Sequence, residues 1–262
     1  MLGTPDTVAG MARSALTGYL AEHYLPSEMV LTAAGAVDHN RLVDQAFQLF
    51  ERLPAREAHK PPAVTYVGGE FREDEDLEQL HFVLGFSGAA ITDPDYYAQS
   101  VLSTLLGGGM SSRLFQEVRE KRGLVYAIYT FASAYRDGGI FGIYAGTGAA
   151  EIAELVPVVC DELCNVVERV SEPEIVRARA QLKSGLLMSL ESTMSRAEQL
   201  GQHLLLFGRP IPTQEIIARI DAVDSTAVRR AAAKLFATKP TVAALGPVAQ
   251  LESIERIAAR LS

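Results

Sequence analysis

The chain has 262 residues, of which 48% are apolar, so it can bury one large hydrophobic core, or one core and part of a second. Its net charge of −8 repels nucleic-acid phosphates and argues against nucleic-acid binding. The N-terminal residues show no secretory leader, and no apolar stretch is long enough to cross a membrane, so no membrane partner is expected.

The two cysteines, Cys160 and Cys164, lie four residues apart in a helical pattern. We interpret them as small buried apolar residues, because a metal or redox site would need a second Cys or His pair that the sequence does not supply. Two cysteines in a chain of this length fit a reducing cytoplasm, which is the expected location.

The first sixty residues predict a helix, a strand and a second helix. Residues 5–24 predict the first helix, with Thr7 as its cap, and residues 28–35 predict a buried strand. Asp38 caps a helix with an apolar stripe over 39–52. The proline-rich segment 53–62 predicts a linker.

Beyond the linker, strands and helices alternate. The acidic run Glu70–Glu78 is interpreted as a solvated edge. The predicted strands are 80–87, 124–135, 140–147 and 240–246, the middle two forming a hairpin around residues 136–139. The predicted helices are 94–106, one that Ser112 caps and that runs through 121, and then 149–169, 172–190, 195–207, 213–220, 225–237 and 251–260.

The end of the chain repeats its beginning. Each end has the order helix, strand, helix, and the aligned pairs are Leu31 with Val242, Ala33 with Ala244, and Gly35 with Gly246. We infer two similar domains: residues 63–262 would be a complete second domain, and residues 1–60 only the end of a first. The front of that first domain would need about 150 residues, judged from the second copy.

The stretch Leu105–Tyr129 reads LLGGGMSSRLFQEVREKRGLVYAIY and places a Gly-rich turn, a helix and a strand in one frame. It resembles the second-half signature of the pitrilysin/insulinase family of zinc metallopeptidases, which includes the mitochondrial processing peptidases and their bacterial relatives. The opening segments also resemble the tail of that family's first domain. The resemblance implies an α+β fold, a metallohydrolase domain with a mixed or antiparallel sheet and helices packed on one face.

The resemblance also implies site residues. The family's second domain carries an Arg and, seven residues later, a Tyr, which match Arg119 and Tyr126 here. A guanidinium and a phenol are suitable donors to the negative charge that develops on a scissile carbonyl oxygen. On the residues alone, Arg119 would be a solvated charge and Tyr126 a core residue. No Gly-Lys-Ser/Thr follows Gly107, Gly108 and Gly109 to make a phosphate loop, so on the residues alone they form a flexible turn that allows close approach. The resemblance implies that they are part of the substrate-binding wall.

Zinc is the cofactor of the family, and none is expected to bind this chain. The family's first domain holds the metal with His-x-x-Glu-His, which this sequence lacks. The five histidines are nowhere four residues apart, so no two share a helix face; they are His23, His39, His59, His81 and His203. We interpret His81 and His203 as structural or surface residues.

Two functions remain open from the sequence. The chain could be part of a zinc-dependent metalloendopeptidase, supplying substrate binding and transition-state donors. Its partners would then be a peptide substrate and a zinc-bearing domain or subunit, or a second copy of the chain. Alternatively, it could be a non-catalytic partner or scaffold subunit of a peptidase-like complex, because some relatives have lost the zinc motif.

Overall fold

The computed structural model describes residues 3–53 and 62–261, which form two compact units. The first unit lies within Met1–Pro62 and Ser189–Ile211, and the second within Ala63–Met188 and Pro212–Ser262. Residues 189–211, which the sequence analysis assigned to the second domain, thus group with the N-terminal residues. The predicted domains, residues 1–60 and 63–262, stay a prediction, because a compact unit can contain residues from more than one domain. Most of the predicted linker lies outside the described residues, as does His59.

The helices and strands follow the predicted order over most of the chain. The helices are α1 Pro5–Ala9, α2 Arg13–His23, α3 His39–Phe50, α4 Tyr96–Gly107, α5 Ile152–Glu168, α6 Glu172–Ser189, α7 Thr193–Phe207, α8 Thr213–Asp221, α9 Ser225–Phe236 and α10 Ile254–Arg260. The strands are β1 Gly69–Asp74, β2 Leu80–Gly88, β3 Val125–Ala134, β4 Gly139–Thr147 and β5 Thr241–Gly246. Within the described ranges, no helix combines the length and the apolar character needed to cross a bilayer.

A five-stranded mixed sheet organises the second unit. Its strand order is β1-β5-β2-β4-β3, and only the β1–β5 pair is parallel. One face of the sheet is buried at its inner strands, for example at Phe82, Leu84 and Phe86 of β2. Phe86 packs edge-on against Phe236 of α9, with ring centroids 5.1 Å apart. The predicted α+β class with a mixed sheet is therefore confirmed.

The first unit departs from the predicted elements in two places. Residues 5–24 were predicted as one helix, but α1 and α2 are separate, and Thr4 rather than Thr7 occupies the cap position. The Thr4 and Thr7 side chains each accept a hydrogen bond from the other's backbone N–H, at 3.3 and 2.8 Å. Residues 28–35 were predicted as a strand, but they form no strand ladder with any described residue, because no neighbouring strand lies beside them.

Two further differences concern the second unit. The acidic run was not predicted to contain a strand, yet β1 extends from Gly69 into it and forms one edge of the sheet, with most of its residues exposed. Ser112 was predicted to cap a helix with its side chain. Its hydroxyl instead is buried and has no hydrogen-bond partner among the residues that the structure describes.

Candidate functional site

Arg119 lies on an unusual piece of backbone. Residues Phe115–Glu120 form a π-helix, in which the Lys121 N–H donates to the Gln116 carbonyl at 3.0 Å, five residues back. The Gly123 N–H then donates to the Arg119 carbonyl at 3.1 Å, and the chain turns directly into β3. π-helical turns are rare, and many of those known occur at functional sites.

The guanidinium of Arg119 differs from its cationic neighbours because it has no ionic partner among the residues that the structure describes. Arg113 binds Glu174 through two hydrogen bonds, of 2.6 and 3.0 Å. Lys121 and Arg122 both pair with Glu117. Within the described residues, Arg119 forms no ion pair, and its guanidinium lies over the Phe115 ring, 4.9 Å from the centroid. Its N–H groups are therefore available to a ligand.

Tyr126 is the extra residue of a β-bulge. Val125 pairs with Thr147 and Ala127 pairs with Gly146, so Tyr126 has no partner in the β3–β4 ladder. Its side chain is 62% exposed, although Val125 beside it is buried. Bulges bend a strand and re-aim side chains, and they are frequent next to active sites. The two residues predicted from the family motif thus both lie on irregular, exposed backbone.

Two of the three predicted glycines, Gly107 and Gly108, make structural contacts. Gly107 ends α4 against β3, where a Cβ would lie 2.4 Å from the backbone nitrogen of Thr130. The Gly108 carbonyl accepts a hydrogen bond from the Gln181 side chain. Gly109 is exposed and leads into Met110, whose side chain is also exposed. The contact of these glycines with a substrate remains a prediction.

An aromatic cluster on the other face of the sheet was not predicted from the sequence. Tyr129 of β3 stacks on Tyr144 of β4, with ring centroids 4.9 Å apart, and the Tyr144 hydroxyl lies 2.8 Å from Nδ1 of His81 on β2. Burial, and then the neighbouring Tyr129, raise the pKa of Tyr144. His81 is therefore part of this aromatic cluster. The contact could not be predicted from the sequence, because His81 and Tyr144 lie 63 residues apart.

The sheet register places this cluster in an open row of apolar side chains. The row runs across all five strands through Phe71, Ala243, Val83, Tyr144 and Tyr129. Phe71 is 60% exposed and Tyr129 47% exposed. The adjacent row contains His81, Gly146 and Ala127, next to the bulge. This open face therefore presents aromatic surface beside Tyr126.

Arg113 and Glu174 fix the segment that carries Arg119. Burial alone would raise the pKa of Glu174, but hydrogen bonds from Arg113 and Ser171 outweigh it and hold the pKa at about 2. Arg113 also donates to the Arg169 carbonyl at 2.8 Å. The carboxylate is thus charged at neutral pH and ties Arg113 to the start of α6.

The described residues offer donors but no metal site. No group of three or more His, Cys, Asp or Glu side chains among them is arranged to hold a metal ion. The residues present therefore do not fit a zinc ion. What they can do is donate hydrogen bonds from Arg119 and Tyr126 and provide aromatic contact area.

Comparisons with known proteins relate the chain to zinc proteases and mitochondrial processing peptidases. Residues 11–182 match the family described as Peptidase M16 inactive domain. The chain is 37% identical over 258 residues to an uncharacterized zinc protease of Streptomyces coelicolor, covering 95% of this chain and 56% of that protein. It is also 37% identical over 278 residues to the probable mitochondrial-processing peptidase subunit beta of Arabidopsis thaliana, covering 99% and 52%.

The chain thus spans little more than half the length of these curated relatives. Among solved structures, a chain of Complex III2 from Candida albicans with Inz-5 bound has a TM-score of 0.84. The match covers 99% of this chain and 65% of that one at 21% identity, which shows a common fold. The chain therefore belongs to the Peptidase M16 inactive-domain family, the pitrilysin/insulinase class that its Gly-rich and SSRLFQEVREKRGLVY segments resemble.

Proposed function

We propose that this chain is the substrate-binding half of a zinc metalloendopeptidase, with Arg119 and Tyr126 donating hydrogen bonds to the peptide. The carrying observation is that both side chains are exposed donors on irregular backbone, and that Arg119 alone among the cations of its segment lacks a carboxylate partner within the described residues. A donor placed where the scissile oxygen gains charge acts in the transition state more than in the ground state.

In this proposal Arg119 and Tyr126 have separable tasks. The Tyr126 phenol donates to the developing oxyanion, which stabilises the transition state. The Arg119 guanidinium attracts backbone carbonyls of the bound peptide and therefore also contributes to ground-state binding. The open row with Tyr129 and Tyr144 provides apolar contact area for peptide side chains, since aromatic faces accept many side-chain shapes.

The zinc would come from another domain or subunit, because the described residues do not fit a metal ion. The first unit provides a surface for such a partner. An apolar groove of about 840 Å³ there is lined by Met29, Leu31, Phe47 and Phe50, together with Leu200 and Leu204 of α7. Residues 1–60 would then be the end of the zinc-bearing domain and residues 63–262 the complete second domain.

A reducing cytoplasm is the proposed location. Cys160 and Cys164 are both free thiols. Burial raises the pKa of Cys160 to about 12, which keeps it protonated and unreactive. Fractionation of the source cells would check the location.

The activity test needs the zinc-bearing half of a zinc protease relative, combined with this chain and a peptide substrate. Tyr126→Phe should then lower kcat by about a hundredfold, the usual loss when one oxyanion donor is removed. Tyr135→Phe is the matched control, because Tyr135 is also a 62% exposed tyrosine of the second unit, and it should leave kcat unchanged.

Three outcomes would contradict the proposal. Tyr126→Phe and Tyr135→Phe could give equal kcat values, or the loss in Tyr126→Phe could follow from a lower melting temperature. The combined halves could also form a stable complex without cleaving any peptide, which would favour the scaffold function instead.

A further inference from the structure

A second cavity lies on the second unit, where the segment Ser111–Glu117 meets the end of α5 and the start of α6. Its volume is about 520 Å³, within the range of small-molecule sites. The lining is almost entirely polar, and its charged members are Arg113, Arg169, Arg177, Glu117, Glu162 and Glu174. Neither Arg119 nor Tyr126 lines it, so it is separate from the proposed peptide site.

The carboxylates of this cavity already have partners. Both oxygens of Glu174 accept hydrogen bonds from Arg113, and one also accepts from Ser171. The two oxygens of Glu117 bind Lys121 and Arg122. Glu162 accepts one hydrogen bond, from the Asn165 amide at 3.2 Å. The acceptors of the cavity are therefore largely satisfied.

Arg113 pairs with Glu174, but the other two arginines of the cavity have most of their guanidinium N–H donors without hydrogen-bond partners among the described residues. Arg177 makes one long hydrogen bond, to the Ser111 carbonyl at 3.3 Å. The side chain of Arg169 forms no hydrogen bond or ion pair with any residue that the structure describes; only its backbone groups do so. The cavity thus has donors to spare on two cations, which is the arrangement that an anionic ligand requires.

We propose that this cavity binds the phosphate group of a small phosphorylated molecule, held by Arg169 and Arg177. Guanidinium groups present several N–H donors in a plane, a geometry that matches phosphate oxygens. Ser112, also in the wall, is 4% exposed, and its hydroxyl has no partner among the described residues. A phosphate oxygen at that wall gives this hydroxyl its missing hydrogen bond.

Titration calorimetry with sodium pyrophosphate tests the proposal, at constant ionic strength because exposed charges are screened by salt. The parent chain should bind pyrophosphate, and Arg169→Gln or Arg177→Gln should each weaken binding by about tenfold or more. Arg256→Gln is the matched control: it removes the same charge from an exposed arginine on α10, outside this cavity, and should leave the affinity unchanged.

Two more variants separate a ligand role from a structural one. Glu162→Gln removes a negative charge from the wall and should tighten pyrophosphate binding. Ser112→Ala removes a buried unsatisfied hydroxyl, so it should raise the melting temperature without pyrophosphate but reduce the further increase that pyrophosphate gives. A purely structural hydroxyl would leave that further increase unchanged.

Three results would overturn the proposal. The first is no binding of pyrophosphate at millimolar concentration. The second is equal loss in Arg169→Gln, Arg177→Gln and Arg256→Gln, which would mean a non-specific charge effect. The third is tighter binding of a phosphoserine peptide than of pyrophosphate, which would replace the small molecule with a protein ligand.

Discussion

The sequence predicts the same helix–strand–helix order at both ends of the chain, and the turn before the last helix has the same local geometry at both. Gly35 and Gly246 both have a φ of +121°. The helix that follows each glycine begins with a side-chain cap: Asp38 accepts from the Arg41 N–H, and Ser253 from the Arg256 N–H. Turn and cap are therefore determined locally in both places.

Burial separates the two copies. Val242 of β5 is fully buried, whereas Leu31 at the equivalent position is 57% exposed. β5 lies between β1 and β2, which satisfy its backbone on both edges, while residues 29–34 pair with no described strand. A segment of strand-like sequence therefore forms a strand, and its apolar side chains become buried, only where neighbouring strands are available to pair with it.

The largest expected effect comes from placing a charge at the two equivalent positions. Val242→Asp would bury a carboxylate without a partner and should lower the free energy of unfolding by about 3–5 kcal/mol. Leu31→Asp should change it by less than about 0.5 kcal/mol, because the side chain remains in water. Urea unfolding of both variants measures the difference, and equal losses would refute the contrast.

Leu31→Asp, which should hardly affect stability, should have a clear effect on the binding of a partner. Leu31→Asp should weaken binding of the proposed zinc-bearing partner, because it charges the apolar groove of the first unit. Val64→Asp, a change at a residue that is 71% exposed in the second unit, is the control. A pull-down in which both variants retain the partner equally would exclude the groove as its binding surface.

A smaller effect is expected at the paired glycines. A Cβ at Gly246 would lie 2.6 Å from the Gln79 carbonyl oxygen, in addition to the strain of a positive φ, so Gly246→Ala should cost about 3 kcal/mol. At Gly35 the nearest atom, on Thr193, is 3.6 Å away, so only the strain of about 1–2 kcal/mol remains. Thermal unfolding should rank the two variants in that order, and the reverse order would contradict it.

The smallest effect concerns the two helix caps. Ser253→Ala should lower the stability of the second unit by about 1 kcal/mol, the usual value of a cap hydrogen bond. Asp38→Ala should instead accelerate amide exchange within α3 while leaving the main unfolding transition in place, since α3 has no fully buried residue. A shift of the main transition in Asp38→Ala would show that the two units unfold together.

The sequence allowed the regular part of the fold to be predicted, because apolar periodicity reports local structure. β2, the β3–β4 hairpin and α5 to α10 lie close to their predicted positions. Apolar periodicity gave wrong predictions where strand formation depends on pairing with a segment that is distant in the sequence. The 28–35 run has strand composition without a neighbouring strand, and β1 is a strand in an acidic run because β5 pairs with it.

The candidate site shows the same limit. Arg119 and Tyr126 could be selected from the resemblance of their segment to a known family, but the π-helix and the bulge that carry them follow no sequence period. The contact of His81 with Tyr144 depends on the β2–β4 register, so no local pattern could indicate it. That Arg119, unlike Lys121 and Arg122, has no ionic partner in the described part of the chain could be recognised only from the three-dimensional structure.

The position of β5 between β1 and β2 also bears on how the chain is synthesised. β5 separates β1 from β2, yet it follows both by more than half of the chain. On the ribosome, β1 and β2 therefore emerge long before the strand that joins them, and their facing edges stay open during that time. The sheet closes only after a long stretch of helices has been made, a high-contact-order step that favours slow folding and a need for chaperones.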